Sequence, residues 1–352
     1  MISKLRLNNI RNFKSKLLEF SDKTTVIIGP NASGKTNILE SLFVLSTGKS
    51  YRAKIEEEMI AYAKELARIK GRVSLDGETK DLEVILTRGF IDIGKTAPEK
   101  VARKKLLVAG IPKRLIDFAG NFKIALFGPW DLDLVTESPS LRRRFLDSVL
   151  SQVDREYRRA SLSYEKGLRQ RNRLLLRIRD EGLSRGQLLF WDRLLVKNGD
   201  YIARAREEFI DFVNSTPPLD SEVYSIEYDK SAISEARIEQ YAEEEVAAAT
   251  TLVGPHRDDF IFSKKRRELA RYGSRGEQRM GVLWLKTAEL KFIEEKTGTR
   301  PTLLLDDIFS ELDHKHRDIV VTVARYQQTI ITTVDPHFIE SLKRVEKIRL
   351  ER

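Results

Sequence analysis

Cysteine is absent from all 352 residues, which removes a disulfide framework, a thiolate metal site and a thiol nucleophile from consideration. Histidine is scarce, at four, and His314 and His316 stand two apart, which directs them to different sides of a helix and argues against a metal pair. No stretch of roughly 20 apolar residues occurs, so no bilayer-spanning helix is expected. The opening MISKLRLNNIRNFKSK has no apolar signal core, and a cytoplasmic location is the expectation. Internal repeats and low-complexity segments are missing too. Aromatic residues, 8% of the chain, nowhere interleave with basic ones as a stacking platform for single strands would require.

Charge is what the chain has in quantity. Its 63 lysines and arginines against 53 acids leave a formal +10. An anionic partner such as nucleic acid is one explanation and a solvated basic surface the other. The length allows two or three domains. Alternating DLEVILT, with Leu82, Val84 and Leu86 on one face, and the short run LLV at 106–108 predict strands, which crowd the first 127 residues. Strands return at DDFIF (258–262), TLLLDD (302–307) and TIITTV (329–334), with helical patterns between, as in a largely parallel, covered sheet. From Leu146 to Ile178 the apolar residues follow a 4-3 rhythm with one skip, predicting a helix of about 40 residues, roughly 60 Å long. The rhythm resumes from Leu188 to Phe212, and the two seams are expected to fold back as an antiparallel hairpin. Asn198 on the second seam either fixes register or faces solvent.

Gly29-Pro30-Asn31-Ala32-Ser33-Gly34-Lys35-Thr36 fits the phosphate-loop pattern at every fixed position and lies between a predicted strand and a predicted helix, the context it requires. Glycines let backbone amides turn toward phosphates, Lys35 reaches the β- and γ-phosphates, and Thr36 offers its hydroxyl to magnesium. The expected ligand is a nucleoside triphosphate. In TLLLDDIFSELD a buried strand ends in Asp306, assigned to the metal side, and Asp307, the candidate general base. Ser274, Gly276, Glu277 and Gln278 open an amphipathic helix with capping-box spacing. A serine and glycine amides at a helix start also suit an anion, and the economical reading gives Ser274, Gly276 and Gln278 to the triphosphate on a second copy of the chain. The run Arg142, Arg143, Arg144 is either a solvated basic face or a set of phosphate contacts, KKRR (264–267) looks like a charged hairpin tip, and His256 is either a site residue or a hydrogen-bonded turn residue.

This arrangement resembles the ABC-type ATPase heads of the structural-maintenance-of-chromosomes group. Within that group IRNF (10–13), GKSYR (48–52), FGPWDLDLVTESPSLRRRFLD (127–147), GPHRDDF (254–260) and LLLDDIFSELDHKHR (303–317) are similar to the RecF family of bacterial recombination mediators, over nearly the whole chain. The resemblance implies an α/β ABC-type P-loop head built from residues 1–127 and 250–352, with a helical, antiparallel coiled-coil-like hairpin inserted at 128–249. It implies ATP and Mg2+ as cofactors, an ATP-dependent homodimer, and slow hydrolysis. It also implies binding to gapped or single-strand/double-strand junction DNA without sequence preference, and work with RecR and RecO in helping RecA replace single-strand-binding protein. By position Arg11 and Asn12 would lie near the nucleotide, and Asp313 in the loop that crosses the dimer. Trp130 stands where the family usually has an acid and Glu137 where it has a small residue. No switch histidine follows TIITT: Thr333 or Val334 occupies that place, and His337 comes too late. The rivals are a relative that uses ATP only as dimer glue and a small-molecule kinase, which has no use for a helical arm.

Overall fold

The computed structural model describes every residue except 76, 92–98, 220–221, 311, 313, 336, 338–344 and 352. Its strands in chain order are β1 (Ile2–Ile10), β2 (Phe13–Glu19), β3 (Thr24–Ile28), β4 (Leu66–Leu75), β5 (Glu78–Thr87), β6 (Phe90–Ile91), β7 (Glu99–Lys100) and β8 (Lys104–Val108). There follow β9 (Ile111–Lys113), β10 (Ile124–Phe127), β11 (Tyr224–Asp229), β12 (Asp259–Lys264), β13 (Arg267–Glu268), β14 (Thr302–Asp306), β15 (Thr329–Thr333) and β16 (Val345–Arg349). Two compact units divide the chain, Met1–Asp131 with Glu289–Arg352, and Leu132–Ala288. The first cut falls close to the expected 127, but the second lies well beyond the expected 250. Strand pairing is the reason: β12 pairs antiparallel with β11, so the segment after residue 250 belongs with the middle of the chain.

In the first unit, strands in the order β10-β14-β15-β3-β16 form a wholly parallel sheet. TLLLD of β14 and TIITT of β15 are buried at every position, as parallel strands covered on both faces must be. A second, antiparallel sheet, β2-β1-β4-β5-β8-β9, accounts for the strands crowding the N-terminal third. Leu82, Val84 and Leu86 are buried on one face of it, as their alternation predicts. Between the sheets runs the helix Lys35–Thr47, whose Ile38, Leu39, Leu42 and Leu45 share one core with Leu5, Leu7, Ile69, Leu304 and Ile330. An element apolar on so much of its circumference is stable only when enclosed. No helix among the described residues is long and apolar enough to cross a membrane.

The second unit carries the hairpin, with a correction. The expected helix of about 40 residues is two, Pro139–Val153 and Arg155–Glu181. Asp154 breaks it by leaving the helical region: one carboxylate oxygen accepts from the Glu156 amide at 2.8 Å, capping the second helix, and the other accepts from the Tyr201 hydroxyl at 2.7 Å. The arm helix is therefore 27 residues and about 40 Å long. It returns as Leu189–Ser215, antiparallel, with Asp192 opposite Arg171 and Asn198 opposite Ser163. Arg171 fills the skipped slot of the seam. At 1% exposure it is held by Asp192 and Glu245, each at 2.7 Å, and by the Thr251 hydroxyl. Asn198 is buried, which decides its open alternative, and donates to the Leu194 carbonyl at 2.8 Å and to Ser163 across the seam.

The arginine run is likewise mostly internal, which corrects its candidate role in phosphate contact. Arg142 is buried, forked onto Asp259 at 2.5 and 2.9 Å, and donates to the Leu134 and Glu137 carbonyls. Arg143 donates to the Asp258 carbonyl, and only Arg144 is exposed. Asp258 is fully buried and accepts from Arg206, Tyr228 and the Ser231 amide, so GPHRDDF is the polar core of this unit. The basic tip at 264–267 is a hairpin turn, as its charge pattern predicts: β12 and β13 pair across it.

Candidate nucleotide site

Register brings the motif residues together at the C-terminal edge of the parallel sheet. Asp306 of β14 lies beside Thr332 of β15, which lies beside Ile27 of β3, one residue before the strand gives way to the phosphate loop. The Gly29 amide donates to the Thr333 carbonyl at 3.3 Å and the Leu350 amide to the Ile28 carbonyl at 2.8 Å, fixing the foot of the loop between two neighbours. A Cβ at Gly29 would come within 2.6 Å of Ser33 Oγ. Gly34 has φ +100°, and a Cβ there would meet Phe13 at 2.5 Å and Asn12 at 2.7 Å. Both positions therefore demand glycine. Asn12 donates to the Ser33 carbonyl at 3.2 Å and accepts from Asn37 at 2.9 Å, so it clamps the loop to its helix.

The donors fit a bound triphosphate. Ser33 Oγ is buried with no partner among the described residues, and Lys35, also buried, donates to the Gly29 and Pro30 carbonyls at 2.7 and 3.1 Å, wrapping back over the loop. Burial holds the Lys35 ammonium below its usual range, while the Asp307 and Asp306 carboxylates pull it back up. Pro30, Asn31 and Ala32 form the exposed crest and Thr36 is half-buried in the first helical turn. Asp306 accepts from the Thr332 hydroxyl at 2.5 Å, which orients a carboxylate buried at the strand end. Thr36 and Asp306 offer the hard oxygen donors that suit magnesium. Asp307 has φ +49°, a left-handed conformation that costs a non-glycine residue about 1 kcal/mol, and its amide is held by the Thr332 carbonyl at 3.1 Å. Strain of this kind, held in place by its neighbours, is characteristic of functional positions.

Arg11 is committed to the helix that follows the loop. Its guanidinium forks onto the fully buried Glu40 at 3.0 and 2.8 Å and donates to the Glu58 carbonyl, so it braces the loop helix rather than offering free donors to a phosphate. Ser50 also donates to Glu40, at 2.5 Å, and Arg52 to Asn37, which explains why IRNF and GKSYR occur together. Tyr51 stacks on Trp130 at 5.1 Å and meets Phe43 edge-on. Its hydroxyl is buried without a partner among the described residues, and burial together with Asp306 pushes its pKa up. Tyr51 and Thr332 lie inside GKSYR and TIITT but were given no role there, and no motif marked Glu40.

Ser274 lies in the second unit. It forms the predicted capping box: its amide donates to Glu277 at 2.7 Å and its hydroxyl accepts from the Glu277 amide at 3.3 Å, at the head of the helix Arg275–Thr297. Lys264 and Ser274 hold the Glu277 carboxyl down at about 2. Ser274 is exposed, and nothing crowds Gly276. Gln278 is corrected from ligand to brace, since its buried amide donates to the Leu269 and Gly273 carbonyls at 3.0 and 3.3 Å. Asp313 lies outside the described residues.

A phosphate loop and an acid-ended strand on a parallel sheet backed by an antiparallel one, in a chain interrupted by a helical hairpin, define the ABC-type ATPase head of the chromosome-maintenance class. The family model described as RecF/RecN/SMC N terminal domain matches residues 1–352. DNA replication and repair protein RecF of Herpetosiphon aurantiacus is 35% identical over 378 residues, covering 98% of this chain and 97% of that protein. The RecF of an Exiguobacterium species is 35% identical over 355 residues, covering 95% and 92%. A solved structure of the recombination mediator protein RecF with ATP, in the RecFOR pathway, matches with a TM-score of 0.87 at 29% identity, over 99% of this chain and 95% of that one. An SMC head bound to the C-winged helix domain of ScpA shares the fold, with a TM-score of 0.54 at 15% identity over 100% and 94%. The chain belongs to the RecF family.

Proposed function

We propose that this protein is a nucleotide-timed DNA clamp of recombinational repair and replication-fork maintenance. ATP held by residues 29–36 of one copy is touched by Ser274 and Gly276 of a second, so the dimer lasts as long as the γ-phosphate does. The observation that carries the reading is the strained Asp307 beside Asp306 at the foot of the loop, a pair suited to hydrolysis rather than to storage of nucleotide. Asp307 accepts the proton of the attacking water, and Lys35 holds the β- and γ-phosphates. Magnesium, held through Thr36 and Asp306, neutralises phosphate charge when bound. Hydrolysis is slow and stimulated by DNA, and its completion releases gapped or junction DNA. With RecO and RecR the clamp promotes RecA loading; what supports a recombination role is that the similar solved structure is described as a recombination mediator in the RecFOR pathway.

Light scattering of the purified protein with ADP, with Mg-ATP, and with Mg-ATP plus a short gapped duplex tests this. A dimer with ATP, prolonged in Asp307→Asn, is the expected result. A monomer at saturating Mg-ATP overturns the reading, and a dimer lifetime unaffected by Asp307→Asn reduces ATP to glue.

A further inference from the structure

The solvent face of the antiparallel sheet opposes like charges. Leu5, Leu7, Ile69 and Val73 are buried, which leaves Lys4 and Arg6 of β1 and Lys70 and Arg72 of β4 on the other side. Register sets Lys4 directly opposite Arg72 and Arg6 directly opposite Lys70. Such pairs destabilise a sheet. Acids answer them only in part: Glu19 takes Lys4 at 2.8 Å, Asp81 opposite Arg72 serves both Lys70 at 2.9 Å and Arg72 at 3.0 Å, and Glu83 opposite Lys70 is taken by Arg68 at 3.0 Å. Arg6 is exposed and has no acidic partner among the described residues. The four cations and Asp81 line a cleft of about 110 Å³, which shares Lys70, Arg72 and Asp81 with a larger one of about 520 Å³.

We infer that this face is a contact surface for the phosphate backbone of duplex DNA. The inference rests on the DNA-binding reading above and names the surface that reading lacked once Arg142 and Arg143 proved internal. Alternate residues on a strand are about 6.8 Å apart and neighbouring strands about 4.8 Å apart, so the four cations form a small grid. A grid of flexible cations on a flat sheet reads phosphates, not base edges, so binding there is independent of sequence. The like-charge ladder, unfavourable in the free protein, becomes favourable against a polyanion.

Duplex binding by the full-length protein in Mg-ATP, measured across a salt series, tests the assignment. The double variant Arg6→Ala/Lys70→Ala is expected to flatten the slope of log affinity against log salt by about 2 and to weaken binding about tenfold or more at low salt. Its melting temperature stays level or rises, because the opposed charges are gone. Asp81→Asn is expected to tighten binding. An unchanged slope in the double variant, with normal binding by the wild type, overturns this assignment and leaves the clamp standing. A wild type that retains no duplex in any nucleotide state overturns both.

Discussion

His256 shows how one buried side chain sets a pH limit. The Thr251 carbonyl can only accept, so Nε2–H donates to it at 3.0 Å, and Nδ1 takes the Tyr164 hydroxyl at 2.8 Å. This is the neutral tautomer. Burial first, then Arg257 and Arg143 nearby, lower its pKa from 6.5 to about 4. The unfolded chain therefore binds a proton at a higher pH than the folded one. Stability is fully present above about pH 6.5 and falls by up to about 3 kcal/mol as pH drops toward 4. Urea titrations at pH 7.5, 6, 5 and 4 should show that decline. His256→Gln, less stable at pH 7.5, should lack the slope between pH 7.5 and 5, whereas Glu277, lowered from 4.5 to about 2, acts only from about pH 4.5 downward. Legibility at this scale followed chemistry. The meeting of residues 29–36 with Asp306-Asp307 at one sheet edge could be expected, because the phosphate-loop pattern and an acid-ended apolar strand have fixed residue types and spacing. The fates of Arg11, Arg142 and Gln278 could not, since a long polar side chain is committed by whichever acid or carbonyl the fold places beside it.

Lys265 and Arg266 carry the β12–β13 turn with φ of 50° and 65°, both in the left-handed region. Two-residue hairpin loops of this shape favour Asn-Gly, and L side chains pay about 1–2 kcal/mol for each such residue. Lys265→Asn with Arg266→Gly is expected to stabilise the protein by about 1 kcal/mol, seen as a higher urea midpoint at unchanged m-value. Among elements, buried parallel strands were the most legible, because TLLLD and TIITT are short, mostly apolar or β-branched runs buried on both faces. The break at Asp154 was not, because an apolar rhythm reports which face is buried and says nothing of whether the backbone continues; a single cap decides that. β16, VEKIR, is exposed or half-buried throughout and carries no apolar run to announce its pairing with β3.

For the molecule as a whole, the phosphate loop and the Ser274 helix start fall in different compact units of the chain. Ser274→Arg places a bulky cation at an exposed cap whose loss costs about 1 kcal/mol, so folding survives. The expected outcome is loss of the Mg-ATP dimer in sedimentation with ATP affinity of the monomer retained. A variant that still dimerises would show that the serine is only a cap. Motif order and family resemblance carried the fold class, but the unit boundary after residue 250 was misplaced because a strand's partner is chosen in space.

The parallel sheet also inverts the order of assembly. β3, which runs into the phosphate loop, is flanked by β15 and β16, so one of the earliest strands synthesised waits for partners about three hundred residues later. Gln328 ties the same knot, exchanging bonds with the Ile2 backbone at 2.7 and 2.6 Å. Contacts of such long range are slow to form. The arm unit, Leu132–Ala288, closes on its own residues and needs no such delay. A nascent chain thus acquires its lever before its grip, and a half-made copy has no means of capturing fuel.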